Sequence, residues 1–331
     1  MESILTPFTL TIDWLAFTVP TSDVAEVKKV LGGDWVLSEG GFRGYPKCWI
    51  SADGVQGVGK MGTGAMRSPK EVHVDLSAGI VSTWPFQKVR ETLGWIFDHE
   101  GHPTRIDCAL DDRKGLVSLH QIKQAVEAGQ CLTRAEQFKI VTGSSIDKGT
   151  VTGETLYFGS PASRTMLRVY NKQLEMQHKG RENWHEFGIR WELEFKKERA
   201  LACGLFLRKL DEEEWCRCAV SFLRAFIDFR QTTREEEGWA RCQAPLVDWW
   251  AELTDGLEKC RLHVGKEVKS LDQVMGWAER ALAPMLAVLK EGAGSDWLNQ
   301  MIEEGVQRWR PHHRRLLNGK KRTLTYGLRK S

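Results

Sequence analysis

The stretch "LRVYNK", residues 167–172, sets Tyr170 between Arg168 and Lys172. A phenol so placed admits three readings: a half-buried strand tyrosine, a side chain that stacks on a base or touches a phosphate, or a nucleophile for phosphoryl transfer. The third needs help, because a free phenol titrates near 10 and is mostly protonated at neutral pH. Carboxylates supply a second chemical signal. Asp75 lies in "KEVHVDLS", Asp107 and Asp111 in "TRIDCALDD", and Glu192 and Glu194 in "GIRWELEFKK". Each avoids the apolar positions of its segment. Like charges crowded on one surface repel unless a cation neutralises them, and oxygen ligands without sulfur favour Mg²⁺ or Mn²⁺.

These residues need strands to bring them together. Residues two apart share a strand face, so Arg168, Tyr170 and Lys172 are expected on one side and Leu167 and Val169 on the other. By the same period Ile189, Trp191, Leu193 and Phe195 form a core face, opposite Arg190, Glu192, Glu194 and Lys196. In this arrangement a metal and the flanking cations favour phenolate, and Arg168, Lys172 and Arg190 offset charge on phosphate oxygens. Transesterification of a phosphodiester suits the set. No Ser-His-Asp or Cys-His spacing suggests acyl transfer. Solvation of a charged strand face is the plain alternative.

The surrounding pattern is α+β. "FTLTIDWLAFTVP" reads as a strand alternating around Ile12, Trp14 and Ala16, and "SDVAEVKKVLGG" as a short helix. "WPFQKVRETLGWIFDHEG" is a helix with Phe86, Val89, Leu93 and Ile96 on one stripe. A short loop, Gly-Ser-Pro-Ala-Ser, joins "ETLYFGS" and "TMLRVYNK" in a hairpin. Beyond residue 198 the pattern turns helical, clearest at 211–229, 246–262 and 271–290, with Pro284 expected to kink the last. A largely antiparallel sheet core with flanking helices, followed by a helical C-terminal part, is therefore expected. The divisions expected are a catalytic part over 1–200, a helical part over 201–307 and a basic tail over 308–331. Trp249, Trp250 and Trp277 are expected in the core.

Composition narrows the classes. With 41% hydrophobic and 27% charged residues the chain is an ordinary globular one. No run of about 18 apolar residues occurs, and "MESILTPFTL" lacks a signal-peptide pattern, so a cytoplasmic location without a membrane partner is expected. The eight cysteines contain no Cys-x-x-Cys pair and read as reduced packing residues. "DGVQGVGKMGTG" approaches a phosphate loop, but Met61 follows the lysine and Gly62 and Gly64 forbid the helix, so a surface loop is expected. Residues 308–331 carry nine of the 47 Lys/Arg residues and no acid, which leaves 38 basic against 44 acidic residues elsewhere, a net charge of −6. A basic tail on an acidic body fits a nucleic-acid contact or a solvated terminus.

"TRIDCALDD", "LYFGSPASRTMLRVYNKQLE" and "IRWELEFKK", in that order, resemble the signature blocks of the Rep_trans replication initiation factor family. "TIDWLAFTV", "VHVDLSA", "PLVDWWAEL" and "AERALAPMLA" add to the resemblance, which spans roughly residues 8 to 290. It implies an HUH-nickase-like fold and a rolling-circle replication initiator. Such a protein nicks one strand at an origin, keeps the 5′ phosphate on a tyrosine and leaves a 3′ hydroxyl primer. By position the nucleophile is Tyr170, with Tyr157 the weaker candidate. Asp75, Asp107 and Glu192 would hold Mg²⁺ or Mn²⁺, with Asp111 and Glu194 as further ligands. The resemblance also implies origin DNA, double-stranded and locally single-stranded, as substrate, a host helicase as partner and a homodimer. Base reading would fall to the helical part and phosphate contact to the tail. The chain departs from the wider superfamily's His-hydrophobic-His motif, reading His73-Val74-Asp75, so His73 is either structural or a ligand. The remaining alternatives are a non-catalytic DNA-binding regulator, a conjugative relaxase and a metal-dependent nuclease in which Tyr170 only positions substrate.

Overall fold

A computed structural model describes residues 7–51, 59–147, 149–262, 275, 278–279, 282–309, 313–314 and 328–330. The chain forms β1 (Phe8–Val19), α1 (Val24–Leu31), β2 (Trp35–Ser38), β3 (Lys47–Ser51), β4 (Lys60–Ala65), β5 (Ser68–Leu76), α2 (Ala78–Val81), α3 (Phe86–Asp98) and β6 (His102–Asp112). Next come α4 (Leu119–Glu127), β7 (Cys131–Thr133), β8 (Phe138–Ser144), β9 (Val151–Phe158), β10 (Thr165–Asn171), α5 (Lys172–His178) and β11 (Ile189–Lys196). After it follow α6 (Glu198–Leu207), α7 (Glu212–Phe226), β12 (Ile227–Phe229), α8 (Gly238–Gln243), α9 (Asp248–Leu253) and β13 (Cys260–Leu262). A separate compact unit, residues 264–326, contains α10 (Ala283–Ala293) and α11 (Ser295–Gln307).

Ten strands make one sheet in the order β2-β3-β4-β5-β1-β6-β11-β10-β9-β8, and every pairing is antiparallel. This is the expected α+β class, HUH-nickase-like, with helices flanking the sheet and a helical region after it. The strands of the signature blocks, β6, β11 and β10, lie side by side although the sequence separates them. Their register, Glu194 opposite Asp107, Arg190 opposite Asp111 and Arg168 opposite Glu192, puts the charged residues on one face. The other face carries Ile106, Cys108, Leu110, Leu167, Val169, Trp191 and Leu193, all buried. There Trp191 meets Trp250 of α9 at 5.2 Å, and Phe195 meets Phe222 of α7 edge-on at 6.3 Å. Gly188 lets β11 start beside the end of β6, since a Cβ there would stand 2.1 Å from the Asp112 carbonyl oxygen.

Several local expectations change. In β1 the register shifts between Ile12 and Trp14, leaving Asp13 as the extra residue. Ile12 stays on the apolar face, but Trp14 and Ala16 pair with Asp107 and Arg105 on the charged face, and Leu15 and Phe17 take the core positions. One inserted residue reverses the parity of everything after it. Lys172 is not a strand residue: the Asn171 side chain accepts from the Leu174 amide at 2.9 Å and caps α5, so the chain passes from β10 into α5 at Asn171. Pro284 sits in the first turn of α10, where its missing N–H costs nothing, and starts that helix instead of kinking it. The glycine-rich stretch continues into β4, where Gly62 lies under the Tyr45 ring. Trp250 is fully buried and Trp249 half-buried against Phe229. Trp277 and most of the basic tail lie outside the described residues. Every cysteine is free.

Candidate functional site

A cleft of about 390 Å³ opens over the charged face. Tyr170, Arg168 and Tyr157 project into it from β10 and β9, Glu192 from β11 and Asp13 from the β1 bulge, while Lys172 and Glu175 of α5, with Lys179 just after it, form one rim. Ser77, Ala78 and Gly79, at the start of α2, form another.

Beneath the cleft lies a buried ionic layer. Arg105 grips Asp107 with Nε–Oδ1 at 2.8 Å and Nη2–Oδ2 at 2.5 Å, and also reaches Glu194 at 2.8 Å. Arg168 bridges Asp107, at 3.2 Å, and Glu192. Arg190 makes a two-pronged contact with Asp111, at 2.6 and 2.7 Å, and donates to Asp13 at 2.9 Å. Lys196 pairs with Glu194. Asp107 is 0% exposed and Glu192 3%, so these charges are not a solvated strand face. Flat, fixed guanidinium forks suit such paired carboxylates.

Acid still exceeds base here. Burial, with Asp13 and Asp107 beside it, pushes the Glu192 carboxyl up to about 8 against the pull of Arg168. Burial likewise raises Asp107, against Arg105 and Arg168. The Glu192 and Asp107 carboxyl groups stand close enough to hydrogen-bond when one holds a proton. A divalent cation would relieve that crowding, and two carboxylates are a suitable protein anchor for Mg²⁺, which keeps several waters and takes other ligands from phosphate. Of the two, Glu192 lines the cleft and Asp107 lies buried beside it, and both keep guanidinium partners, Arg168 for each and Arg105 for Asp107 as well.

The other expected ligands stand elsewhere. Asp111 is taken up by Arg190. Asp75, on β5 beyond β1, pairs with Arg43 at 2.6 Å. Among the described residues no group of three or more His, Cys, Asp or Glu side chains is placed to hold one ion. His73 donates to or accepts from Thr18 Oγ1 through Nδ1 at 3.1 Å, and its ring stacks on Tyr45 and Phe42 at 5.7 and 5.9 Å. Burial lowers its pKa, which suits a neutral packed imidazole.

Tyr170 is the half-buried wall of the cleft, and its hydroxyl makes no hydrogen bond among the described residues. Burial first, then Glu192, raise its pKa, and Arg190 opposes them. The cations flanking it in sequence are engaged elsewhere: Arg168 is spent on Glu192 and Asp107, and Lys172 donates to Glu175 at 3.0 Å while its Nζ lies 5.8 Å from the Tyr170 ring centre. Burial and Arg190 together lower the Lys172 pKa against the pull of Glu175.

Sequence reasoning named Lys172 but missed Asp13, Arg105 and the other rim residues, Glu175 and Lys179. Arg105 was legible as the charge two residues before Asp107 on the same face. Asp13 was not, because the bulge that exposes it has no local signature in "TIDWLAF". The α5 rim was signalled by Asn171, a good helix cap directly after Tyr170.

Comparison with known proteins places these elements. The profile of the Rep_trans family, described as replication initiation factor, matches residues 101–302, a span that holds β6, β10, β11 and the cleft's Tyr170. A Bacillus subtilis (strain 168) protein named "Putative DNA relaxase NicK" is 25% identical over 210 residues, covering 62% of this chain and 58% of that protein. The chain thus spans less than two thirds of that relative. The solved structure of a rolling circle replication initiator protein from Geobacillus stearothermophilus has a similar fold, with a TM-score of 0.62 at 19% identity, covering 76% of this chain and 96% of that one.

Proposed function

The chain belongs to the Rep_trans replication initiation factor family, and from that premise we propose that it nicks one DNA strand at a replication origin by tyrosine transesterification. The observation that carries this reading is Tyr170 on the wall of an open cleft, beside Glu192 and Arg168 and over a buried layer of carboxylates.

The Tyr170 oxygen attacks the scissile phosphorus and forms a phosphotyrosine ester with the 5′ side. The bond from phosphorus to the 3′ oxygen breaks, and the phenolic proton is balanced by the proton gained by that leaving 3′ hydroxyl. Lys172 and Lys179, on the rim, draw the phosphodiester in, and Arg168 faces it from the floor. Arg190 acts from below and favours the phenolate. Asp107 and Glu192 would hold Mg²⁺ or Mn²⁺, which when bound would polarise the phosphate and offset the charge of Glu192 that adds to burial in keeping the phenol protonated. Asp75 and Asp111 serve on this reading as ion-pair partners that shape the sheet. The helical segments after residue 200 would read base edges, the basic tail would contact phosphates, and a host helicase and a second copy of the chain are the partners proposed.

Supercoiled DNA carrying the cognate origin tests the reading. With Mg²⁺ or Mn²⁺ the protein is expected to give nicked DNA covalently attached to protein, and Tyr170→Phe to abolish the adduct. An adduct that persists in Tyr170→Phe and disappears in Tyr157→Phe would transfer the role to Tyr157, which lines the same cleft. Nicking with a free 5′ phosphate in Tyr170→Phe would mean that water is the nucleophile. Binding without nicking by the wild type would mean a regulator.

A further inference from the structure

The face of the sheet away from the cleft carries an arginine cluster that the nicking chemistry does not use. Two adjoining hollows of about 180 and 450 Å³ share Arg134, Thr165, Arg199 and Phe226 in their walls. Arg261 of β13 lines the first, and Arg164 of the β9–β10 loop lines the second beside Ser160 and Ser163. Thr165 and Phe195 are register partners and point opposite to Arg168 and Glu194, so the hollows open on the apolar side, at the far end of β10 from Tyr170.

Clustered cations normally bring carboxylates with them. Here only Arg164 has one, Glu198. Among the described residues no carboxylate forms an ion pair with Arg134, Arg199 or Arg261. Arg199 is half-buried with Nη1 donating to the Leu262 carbonyl, and burial together with Arg164, Arg134 and Arg261 lowers its pKa. Four guanidinium groups thus lie near one another, three exposed and Arg199 half-buried, over a floor of Phe195, Phe222 and Phe226. Glu136 also lines the second hollow, so the four guanidinium groups outnumber two carboxylates, Glu136 and Glu198, and guanidinium forks with serine and threonine hydroxyls are the usual partners of phosphate oxygens.

We propose that Arg134, Arg164, Arg199 and Arg261 form a second DNA contact, a clamp on the phosphodiester backbone of the duplex flanking the nick. The proposal rests on the reading that the chain processes DNA. Five strand residues, about 17 Å at roughly 3.3–3.4 Å each, separate Thr165 from Tyr170 along β10. That is about five phosphate steps at roughly 3.4 Å per nucleotide, so DNA leaving the cleft would turn past the end of the sheet and meet the clamp. The clamp adds affinity and register, without base specificity.

The test is the salt dependence of duplex binding by the full chain, with nicking of a short single-stranded oligonucleotide as a parallel readout. Arg134→Gln with Arg261→Gln changes two exposed side chains that make no ion pair among the described residues, so folding is preserved. The double variant is expected to lower the slope of log K against log salt by about 2, near one unit for each phosphate no longer neutralised. Nicking of the oligonucleotide should stay at the wild-type rate. An unchanged slope and affinity with normal nicking would overturn the clamp and leave the nicking function standing. Loss of nicking in wild type would instead strike the function, and a wild type that binds no duplex would remove both. Inorganic phosphate added at constant ionic strength distinguishes a small-anion site: binding of phosphate to the cluster with no effect of the double variant on duplex affinity would also overturn the clamp.

Discussion

Two buried ion networks lie on opposite sides of this molecule, and they are balanced in opposite ways. Behind the sheet a single carboxylate, Asp228 of β12, takes three cations, Arg224 at 3.3 Å, Arg230 at 2.8 Å and Lys259 at 3.0 Å, and accepts from Trp250 Nε1 at 2.7 Å. Burial would raise its pKa, but Arg224, Lys259 and Trp250 prevail and hold it below the ordinary aspartate range. In front, Asp13, Asp107, Asp111, Glu192 and Glu194 outnumber Arg105, Arg168, Arg190 and Lys196. There the pKa values of Asp107 and Glu192 go up. A network with surplus cations is a closed structural joint. In the other the carboxylates exceed their buried cations and two of them are held above the ordinary range, so on the proposed function a further cation belongs there.

The sharpest way to break the comparison is to remove Arg190, the most deeply buried of the front cations, which serves two acids. Arg190→Met leaves Asp13 and Asp111 buried without a charge partner and is expected to cost about 3–5 kcal/mol in urea unfolding. Adding Asp13→Asn and Asp111→Asn should recover most of that loss. A single variant within about 1 kcal/mol of wild type would show that the front layer does not hold the sheet together.

The rear joint is expected to respond to smaller changes. Trp250→Phe keeps the ring and removes the donor to Asp228, at a cost of about 1.5–3 kcal/mol for a hydrogen bond to a charged group. Acid probes the same joint. Asp228 has a depressed folded-state pKa, so its stabilisation is complete above the unfolded value and is lost as pH falls through the folded one. Tm is therefore expected to fall in acid, and Asp228→Asn to flatten that part of the profile.

Divalent metal should separate the networks directly. Mg²⁺ or Mn²⁺ at ten times its Kd is expected to stabilise the wild type by about 1.4 kcal/mol. Glu192→Gln should remove the increment, and Asp228→Asn should keep it. Equal loss in both variants would end the distinction between joint and binding site. The smallest effect is expected from Tyr170→Phe, within about 0.5 kcal/mol of wild type, because the hydroxyl has no hydrogen bond among the described residues. A tyrosine whose removal costs no stability but abolishes the adduct is one kept for chemistry.

Much of this was legible in the residues themselves. The alternation in "GIRWELEFKK" separates Trp191 and Leu193 from Glu192 and Glu194, and the structure keeps that separation. Where it failed, a single event was responsible. The extra residue at Asp13 moved Trp14 and Ala16 to the charged face, and a bulge of that kind depends on the partner strand as much as on its own residues. The Lys172 position failed for a different reason: a strand period was extended one residue past a helix cap that Asn171 already announced.

The sequence by itself determined the apolar sides of β10 and β11 and the family blocks that carry Tyr170. Backbone geometry sets those features over a few residues, so they survive without knowledge of neighbours. Only the tertiary structure decided that β6, β11 and β10 lie adjacent, that Arg168 bridges Asp107 and Glu192, and that Asp75 goes to Arg43 instead. Those outcomes turn on register between segments up to 177 residues apart, as in the Arg190–Asp13 pair. Burial then converts that register into shifted pKa values, which no spacing within one strand contains.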